Sequence, residues 1–142
     1  MSRLFSSRKR RSFSECQISG HYYNNNDDAC FKPIALIDPI VLDGLKGGKL
    51  LVTLTVADNW CEKAGDRTWF AIEVDGKICT RGLISAGIDN QRVPIVLQAV
   101  YEMDASRPIS VKAMWCNGPE TNGRKCYIGS WGDLVLTALQ ID

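Results

Sequence analysis

Hydrophobic and polar residues alternate with a period of two along most of the chain from Lys49 onward. This is the pattern of β-strands that bury one face. In the segment from Leu50 to Val56, Val52, Leu54 and Val56 share one face, and Thr53 and Thr55 lie on the other. Turn residues separate this segment from similar ones at 70–74, 93–103, 109–115, 126–131 and 134–141. No segment has a helical spacing of apolar residues, so the pattern predicts an all-β fold.

A tight hairpin is predicted at Asp75-Gly76, directly after the alternating segment that ends at Val74. An Asp-Gly pair between two alternating segments is a strong local signal for a two-residue turn, because both residues tolerate positive φ. We expect Ile78 and Thr80 to continue the same alternation in the second strand of the hairpin.

Several of these strands carry apolar residues on both faces. The outward-facing ones are Val96, Val100, Met114 and Val135. A lone sandwich normally exposes a polar outer face to water, so two-sided apolarity indicates either a covering layer within the chain or packing between subunits. Internal strands that are merely rich in valine are the alternative. We favour a symmetric oligomer.

Length and composition agree with one ordinary globular domain. The chain has 142 residues, of which 45% are hydrophobic and 23% charged, which excludes the disordered and membrane classes. No stretch is long and apolar enough to span a bilayer. Residues 1–30 are polar and lack sustained periodicity, so we assign them to an arm and linker and residues 31–142 to the β-sandwich.

Positive charge is concentrated at the N-terminus. Five of the 17 basic residues lie in the first eleven positions, namely Arg3, Arg8, Lys9, Arg10 and Arg11. Such an arm suits an acidic protein surface or nucleic acid, although a solvated terminus has the same composition. No aromatic residue is interleaved with the cluster, so specific nucleic-acid binding is not expected. No apolar segment follows it, so we expect synthesis in a cytoplasm instead of secretion.

The six cysteines do not have the spacing of a metal site. They are Cys16, Cys30, Cys61, Cys79, Cys116 and Cys126. None forms a C-x-x-C pair and there is one histidine, so no metal and no cofactor is expected. Cys116 with Cys126 is the best candidate disulfide and Cys16 with Cys30 the second, but we favour reduced, buried thiols.

Catalysis is not expected, since the chain has no nucleophile elbow, phosphate-binding glycine loop or zinc-protease motif. The acids in loop-like segments are Glu62, Asp66, Asp89 and Glu120, and we interpret them as solvated turn residues. Among the tryptophans, Trp60 follows Asp58-Asn59 at a strand end and is the best candidate for an exposed, ligand-facing aromatic. A receptor- or glycan-binding module is therefore the alternative function.

Three segments carry a resemblance to a known kind of protein. They are residues 69–76 (WFAIEVDG), 107–115 (RPISVKAMW) and 127–136 (YIGSWGDLVL). Together they resemble the jelly-roll of small tail and capsid accessory proteins of tailed bacteriophages, which is broadly similar to the trimeric C1q/TNF-like sandwich. The resemblance covers residues 49–142 and lies in the shape of the strands, so no active-site residue comes with it.

The resemblance implies an antiparallel β-sandwich of jelly-roll type with an extended N-terminal arm. It implies a homotrimer that the arm fastens to other virion proteins, as a cement, decoration or fibre-like component. The expected location is the virion after synthesis in the host cytoplasm, with a host surface glycan as a partner only under the alternative function. Placement on the capsid or on the tail stays open.

Overall fold

The alternating segments form antiparallel strands. A computed structural model describes residues 12–17, 22–24, 31–35, 37–43, 47–103, 107–129 and 132–141. Its strands are β1 (Ser12–Gln17), β2 (Tyr22–Asn24), β3 (Lys32–Pro33), β4 (Ile40–Leu42), β5 (Gly48–Val56), β6 (Asn59–Cys61), β7 (Arg67–Val74), β8 (Lys77–Ser85), β9 (Ile95–Met103), β10 (Ile109–Asn117), β11 (Cys126–Ile128) and β12 (Leu134–Gln140). The helical content of this part of the chain is the 3-10 turn Pro119–Thr121, and none of it has the length and apolarity that crossing a bilayer requires.

Three antiparallel sheets arise from these strands. A four-stranded sheet has the order β1-β12-β5-β9, and a five-stranded sheet has the order β3-β10-β7-β8 with β4 also paired to β10. A small three-stranded sheet, β2-β11-β6, completes the arrangement. Consecutive strands repeatedly pass from one sheet to another, as in a jelly-roll. The predicted all-β jelly-roll sandwich is confirmed, whereas the basic arm of residues 1–11 lies outside the described residues.

The core lies between the inner faces of the two larger sheets. Each strand contributes every second residue, and the contributors on β5, β7, β10 and β12 are almost entirely buried. They include Leu50, Val52, Leu54, Val56, Phe70, Ile72, Val74, Val111, Trp115, Leu134 and Leu136. Phe70 and Trp115 stack at the centre with ring centroids 6.3 Å apart. Burial of these rows supplies the main favourable term for folding.

The predicted hairpin joins β7 to β8, but the second strand departs from simple alternation. Asp75 and Gly76 have φ values of 53° and 78°, as the two-residue turn requires. Three residues after Gly76, a β-bulge leaves Cys79 without a partner in the ladder between the pairs Glu73–Ile78 and Ile72–Thr80. The extra residue reverses the alternation, so Ile78 is exposed and shares the face of Glu73. The expectation that Ile78 and Thr80 share one face is wrong for this reason.

Two segments of the region assigned to arm and linker belong to the sheets. β1 pairs with β12 over six residues, and β2 pairs with β11 over three. Strand pairing uses backbone hydrogen bonds, which any sequence can supply, so short polar segments can join a sheet without an apolar pattern. These pairings revise the assignment of β1 and β2, while the remainder of residues 1–30 lies outside the described residues.

Replacement of Phe70 by Ala should lower the free energy of unfolding by about 3–5 kcal/mol, because the buried ring leaves a cavity against Trp115. Urea denaturation followed by Trp fluorescence measures the change. Ile88→Ala is the matched control, since Ile88 is 65% exposed and should change stability by less than about 0.5 kcal/mol. Equal effects of the two substitutions would contradict the assigned core.

Candidate functional site

The outer face of the four-stranded sheet carries no charge over three consecutive rows. We call the outward residues of β5, β9 and β12 in these rows the outer face, and they are Leu51, Thr53, Thr55, Val96, Gln98, Val100, Val135, Thr137 and Leu139. Val96 and Val100 are 59% and 58% exposed. Gln98 donates a hydrogen bond of 3.3 Å to the hydroxyl of Thr53, so its amide group already has a hydrogen-bond partner on the same face. The first charged residues are Lys49 and Glu102, which form an ion pair of 3.9 Å at one end.

The outer side of the five-stranded sheet is different. Lys112 and Glu73 lie 3.9 Å apart on neighbouring strands, and the Arg81 guanidinium lies 5.5 Å from the ring centroid of Trp69. Met114 is 5% exposed, so the apolar residue that we expected on this side of β10 is buried within the chain. Met114 thus adds nothing to an exposed surface, whereas Val96 and Val100 are exposed on the uncharged face of the four-stranded sheet. The five-stranded sheet also exposes Val41, Ile78 and Leu83, but its outer side carries charged side chains as well.

Trp60 lies at the centre of a row of side chains on the small sheet. On one edge of β6 it pairs with Tyr127 of β11, and their rings stack with centroids 4.0 Å apart and planes inclined by 11°. On the other edge it forms an isolated bridge to Arg92, whose guanidinium carbon lies 5.2 Å from the ring centroid. Both neighbours are themselves fixed, since Tyr127 donates a 2.9 Å hydrogen bond to Glu62 and Arg92 donates one of 2.6 Å to Asp58.

This arrangement limits what Trp60 can bind. The ring is partly buried between a stacked tyrosine and a guanidinium, so a sugar could lie on its face only by displacing one of them. The prediction that Trp60 is an open ligand-facing platform thus gains no support from its position. The predicted arm residues Arg3, Arg8, Lys9, Arg10 and Arg11 lie outside the described residues.

The same small sheet brings two buried cysteines together. Cys61 of β6 and Cys126 of β11 are directly opposite in the ladder, and their Sγ atoms are 2.8 Å apart. The hydrogen bond between the two thiols lowers the pKa of Cys61, although burial acts in the opposite direction. The pKa of Cys126 is raised by the same interaction with Cys61 and then by burial.

The cysteine pairing differs from the one that spacing suggested. Cys116, the predicted partner of Cys126, lies on β10 opposite Trp69. The turn-rich segment between Cys116 and Cys126 does not form a simple hairpin, because it contains the 3-10 turn and leads β11 into a different sheet. Proximity in sequence was therefore a poor guide to the neighbour of Cys126.

The loop acids have structural contacts, and the interpretation of Asp66 as a solvated turn residue is wrong. Asp66 is almost fully buried and accepts hydrogen bonds from both Nε and Nη2 of Arg124, the latter at 2.5 Å. Glu62 accepts the bond from Tyr127, Glu120 lies 2.9 Å from Arg67, and Asp89 accepts a 2.9 Å bond from the backbone N–H of Ala64. The Asp66–Arg124 pair joins the loop after β6 to the segment before β11, so it braces the small sheet.

Comparison with known proteins identifies the fold. No protein-family model and no curated protein matches the chain. The structure of Eiger TNF from S. frugiperda aligns with a TM-score of 0.56 at 11% identity, covering 92% of this chain and 93% of that one. Dimeric latent PorU from Porphyromonas gingivalis aligns with a TM-score of 0.54 at 9% identity, and the alignment covers 92% of this chain but 13% of PorU.

A third structure, the VP2 protein of Infectious Bursal Disease Virus, aligns with a TM-score of 0.49 at 11% identity, covering 93% of this chain and 36% of VP2. That likeness is too weak to carry an argument. The first two alignments have low identity and establish the fold alone. The chain is thus a jelly-roll β-sandwich with a TNF-like arrangement of strands.

Replacement of Arg124 by Met should destabilise the protein by roughly 2–4 kcal/mol, because the carboxylate of Asp66 would stay buried without its cation. Arg67→Met is the matched control, since the Arg67–Glu120 pair is substantially exposed and should contribute at most about 1 kcal/mol. Thermal and urea unfolding of both variants measure the difference. A larger loss for Arg67→Met would contradict the bracing role of Asp66–Arg124.

Proposed function

We propose that the protein is a non-enzymatic structural component of a virus particle. In this proposal, copies of the chain associate as a homotrimer through the outer face of the four-stranded sheet. The basic residues of the N-terminal arm then attach the trimer to neighbouring virion proteins, as a bacteriophage cement, decoration or fibre-like component made in the host cytoplasm. The observation that carries the proposal is the uncharged, partly exposed outer face.

The outer face suits contact with a second copy of the same chain. Nine aligned positions contain aliphatic, threonine and glutamine side chains only, so the faces of three copies that meet around a threefold axis bring no like charges together. A strongly acidic or basic partner would find no complementary charge there. Val96 and Val100 would each move from more than half exposed to buried, which favours association. The sequence resemblance to a trimeric sandwich agrees with this occupant.

A structural role also accounts for the polar groups better than catalysis does. The four loop acids weighed as catalytic candidates are engaged with an arginine, a tyrosine or a backbone N–H. Such contacts hold loops in place and reduce the freedom of each carboxylate to act on a substrate. A glycan-binding role receives less support, because Trp60 already contacts Tyr127 and Arg92.

A double variant with lysines on the outer face should be monomeric. Its substitutions are Val96→Lys and Val100→Lys. Association would then require burying like charges, and we expect it to weaken by at least about tenfold, or ~1.4 kcal/mol. Light scattering after size exclusion, at several protein concentrations, measures the mass. The control is Ile88→Lys, which adds one charge at a position that is 65% exposed in the β8–β9 loop.

A wild-type protein that is monomeric at every concentration would refute self-association, and an oligomer that survives both lysines would place the interface elsewhere. Circular dichroism of the double variant checks that the sandwich is retained. Because both side chains point away from the core, we expect it to fold.

Deletion of residues 1–11 should leave the oligomer intact and remove the protein from virus particles. The cut spares β1, which begins at Ser12 and pairs with β12. Particles sedimented from a culture that makes the protein are assayed by quantitative mass spectrometry. Replacing Arg3, Arg8, Lys9, Arg10 and Arg11 together by Gln keeps the length of the arm and should have the same effect if charge is what attaches it.

Full occupancy of particles by the deleted protein would refute the role of the arm. Absence of the intact protein from sedimented particles would refute the virion role itself. Loss upon deletion but not upon Gln replacement would indicate that the arm binds through its backbone or apolar residues instead of its charge.

A further inference from the structure

The pair Cys61 and Cys126 is a chemical feature that the proposed structural role does not use. The two residues are separated by 65 positions in the chain, yet they face each other across the β6–β11 ladder. Both are buried, with 1% and 0% of their surface exposed, in a small cluster with Ala86. A directly opposite position in an antiparallel ladder brings two Cβ atoms to about 4.5–5.5 Å. Disulfide geometry needs a Cβ separation near 3.8 Å, so little movement of the backbone is required.

Local contacts prepare one thiol of the pair for reaction. The Sγ atom of Cys61 lies 2.8 Å from that of Cys126 and 3.4 Å from the hydroxyl of Thr68. Both neighbours can donate a hydrogen bond to a thiolate at Cys61, and the thiolate is the form of cysteine that reacts. Cys126 is then placed to attack Cys61 after its oxidation, as a resolving thiol does.

We propose that Cys61 and Cys126 form a redox-active pair that closes to a disulfide across β6 and β11 when a local opening of the small sheet admits a peroxide to these buried thiols. This inference rests on the small sheet alone and does not depend on the virion role. It assigns to Cys126 a partner other than Cys116. The pair would then remain as two thiols in a compartment that keeps thiols reduced, and it would become a disulfide in an oxidising compartment.

The reaction balances in two steps. The Cys61 thiolate attacks one oxygen of hydrogen peroxide, the O–O bond breaks, and the departing hydroxide takes up a proton to give water while Cys61 becomes a sulfenic acid. Cys126 then attacks Cys61 Sγ, the S–O bond breaks, and the hydroxyl leaves with the proton of Cys126 as a second water. Two thiols are oxidised to one disulfide and one peroxide is reduced to two waters.

A bond at this position would link parts of the fold that are distant in sequence. It would join β6, which follows the first long strand, to β11 near the C-terminus. Closing so long a loop reduces the conformational freedom of the unfolded chain, which stabilises the folded state. The stack of Trp60 on Tyr127, one residue away on each strand, would be held in the same register.

The test uses the full-length protein, reduced, desalted and then treated with hydrogen peroxide. Trypsin cleavage after Lys49, Lys63 and Lys125 places Cys61 in peptide 50–63 and Cys126 in peptide 126–142. The expected result under non-reducing conditions is one species with the summed mass of these two peptides less two hydrogen atoms, which dithiothreitol separates. The oxidised protein should also melt several degrees higher than the reduced protein, reversibly.

Variants distinguish this pair from the other thiols. A Cys79→Ser background removes a cysteine that is exposed on β8 and is open to unrelated oxidation. In that background, Cys61→Ser should abolish both the linked peptides and the rise in melting temperature, whereas Cys116→Ser should change neither. If Cys61→Ser fails to fold, peptide mapping of the wild-type protein still decides the question.

Three results would overturn the proposal. They are linkage of Cys126 to peptide 113–124, which contains Cys116; oxidation of Cys61 to sulfinic acid without linkage; and full recovery of both Cys61 and Cys126 as thiols after treatment that oxidises Cys79.

Discussion

The complete burial of one side of β5 is the constraint on which the rest of the structure depends. Leu50, Val52, Leu54 and Val56 are fully buried. β5 lies between β12 and β9, so its register sets the register of both neighbours. A slip of one residue would move the entire apolar row to the solvent side, and the energetic cost of that move fixes the pairing. Core and outer surface are therefore determined together.

That constraint has a direct consequence for the surface. Once the buried row of β5 described above faces inward, Leu51, Thr53 and Thr55 must face outward, and Val96 and Val100 of β9 must lie beside them. The outer face that results is uncharged, but its threonines and glutamine make it less hydrophobic than the protein core. Covering such a surface would be favourable, which is consistent with the proposed self-association.

The small sheet is held by contacts of several kinds. The ladder between β6 and β11 aligns the Trp60–Tyr127 stack on one face and the Cys61–Cys126 pair on the other. The ion pair of Asp66 with Arg124 joins the segments that flank these strands. Because these contacts share two three-residue strands, a change in any one of them should be felt by the others.

Local alternation of residues determined much of this protein. It identified the long strands, the core rows and the Asp75-Gly76 turn, because side-chain period and turn conformation depend on neighbouring residues. Only the tertiary structure decided which strands pair. It brought β1 and β2 into the sheets, buried Met114, placed a bulge at Cys79 and set Trp60 against Tyr127. The partner of Cys126 was decided in the same way, since contact between residues 65 positions apart depends on the path of the whole chain and leaves no periodic signal near either residue.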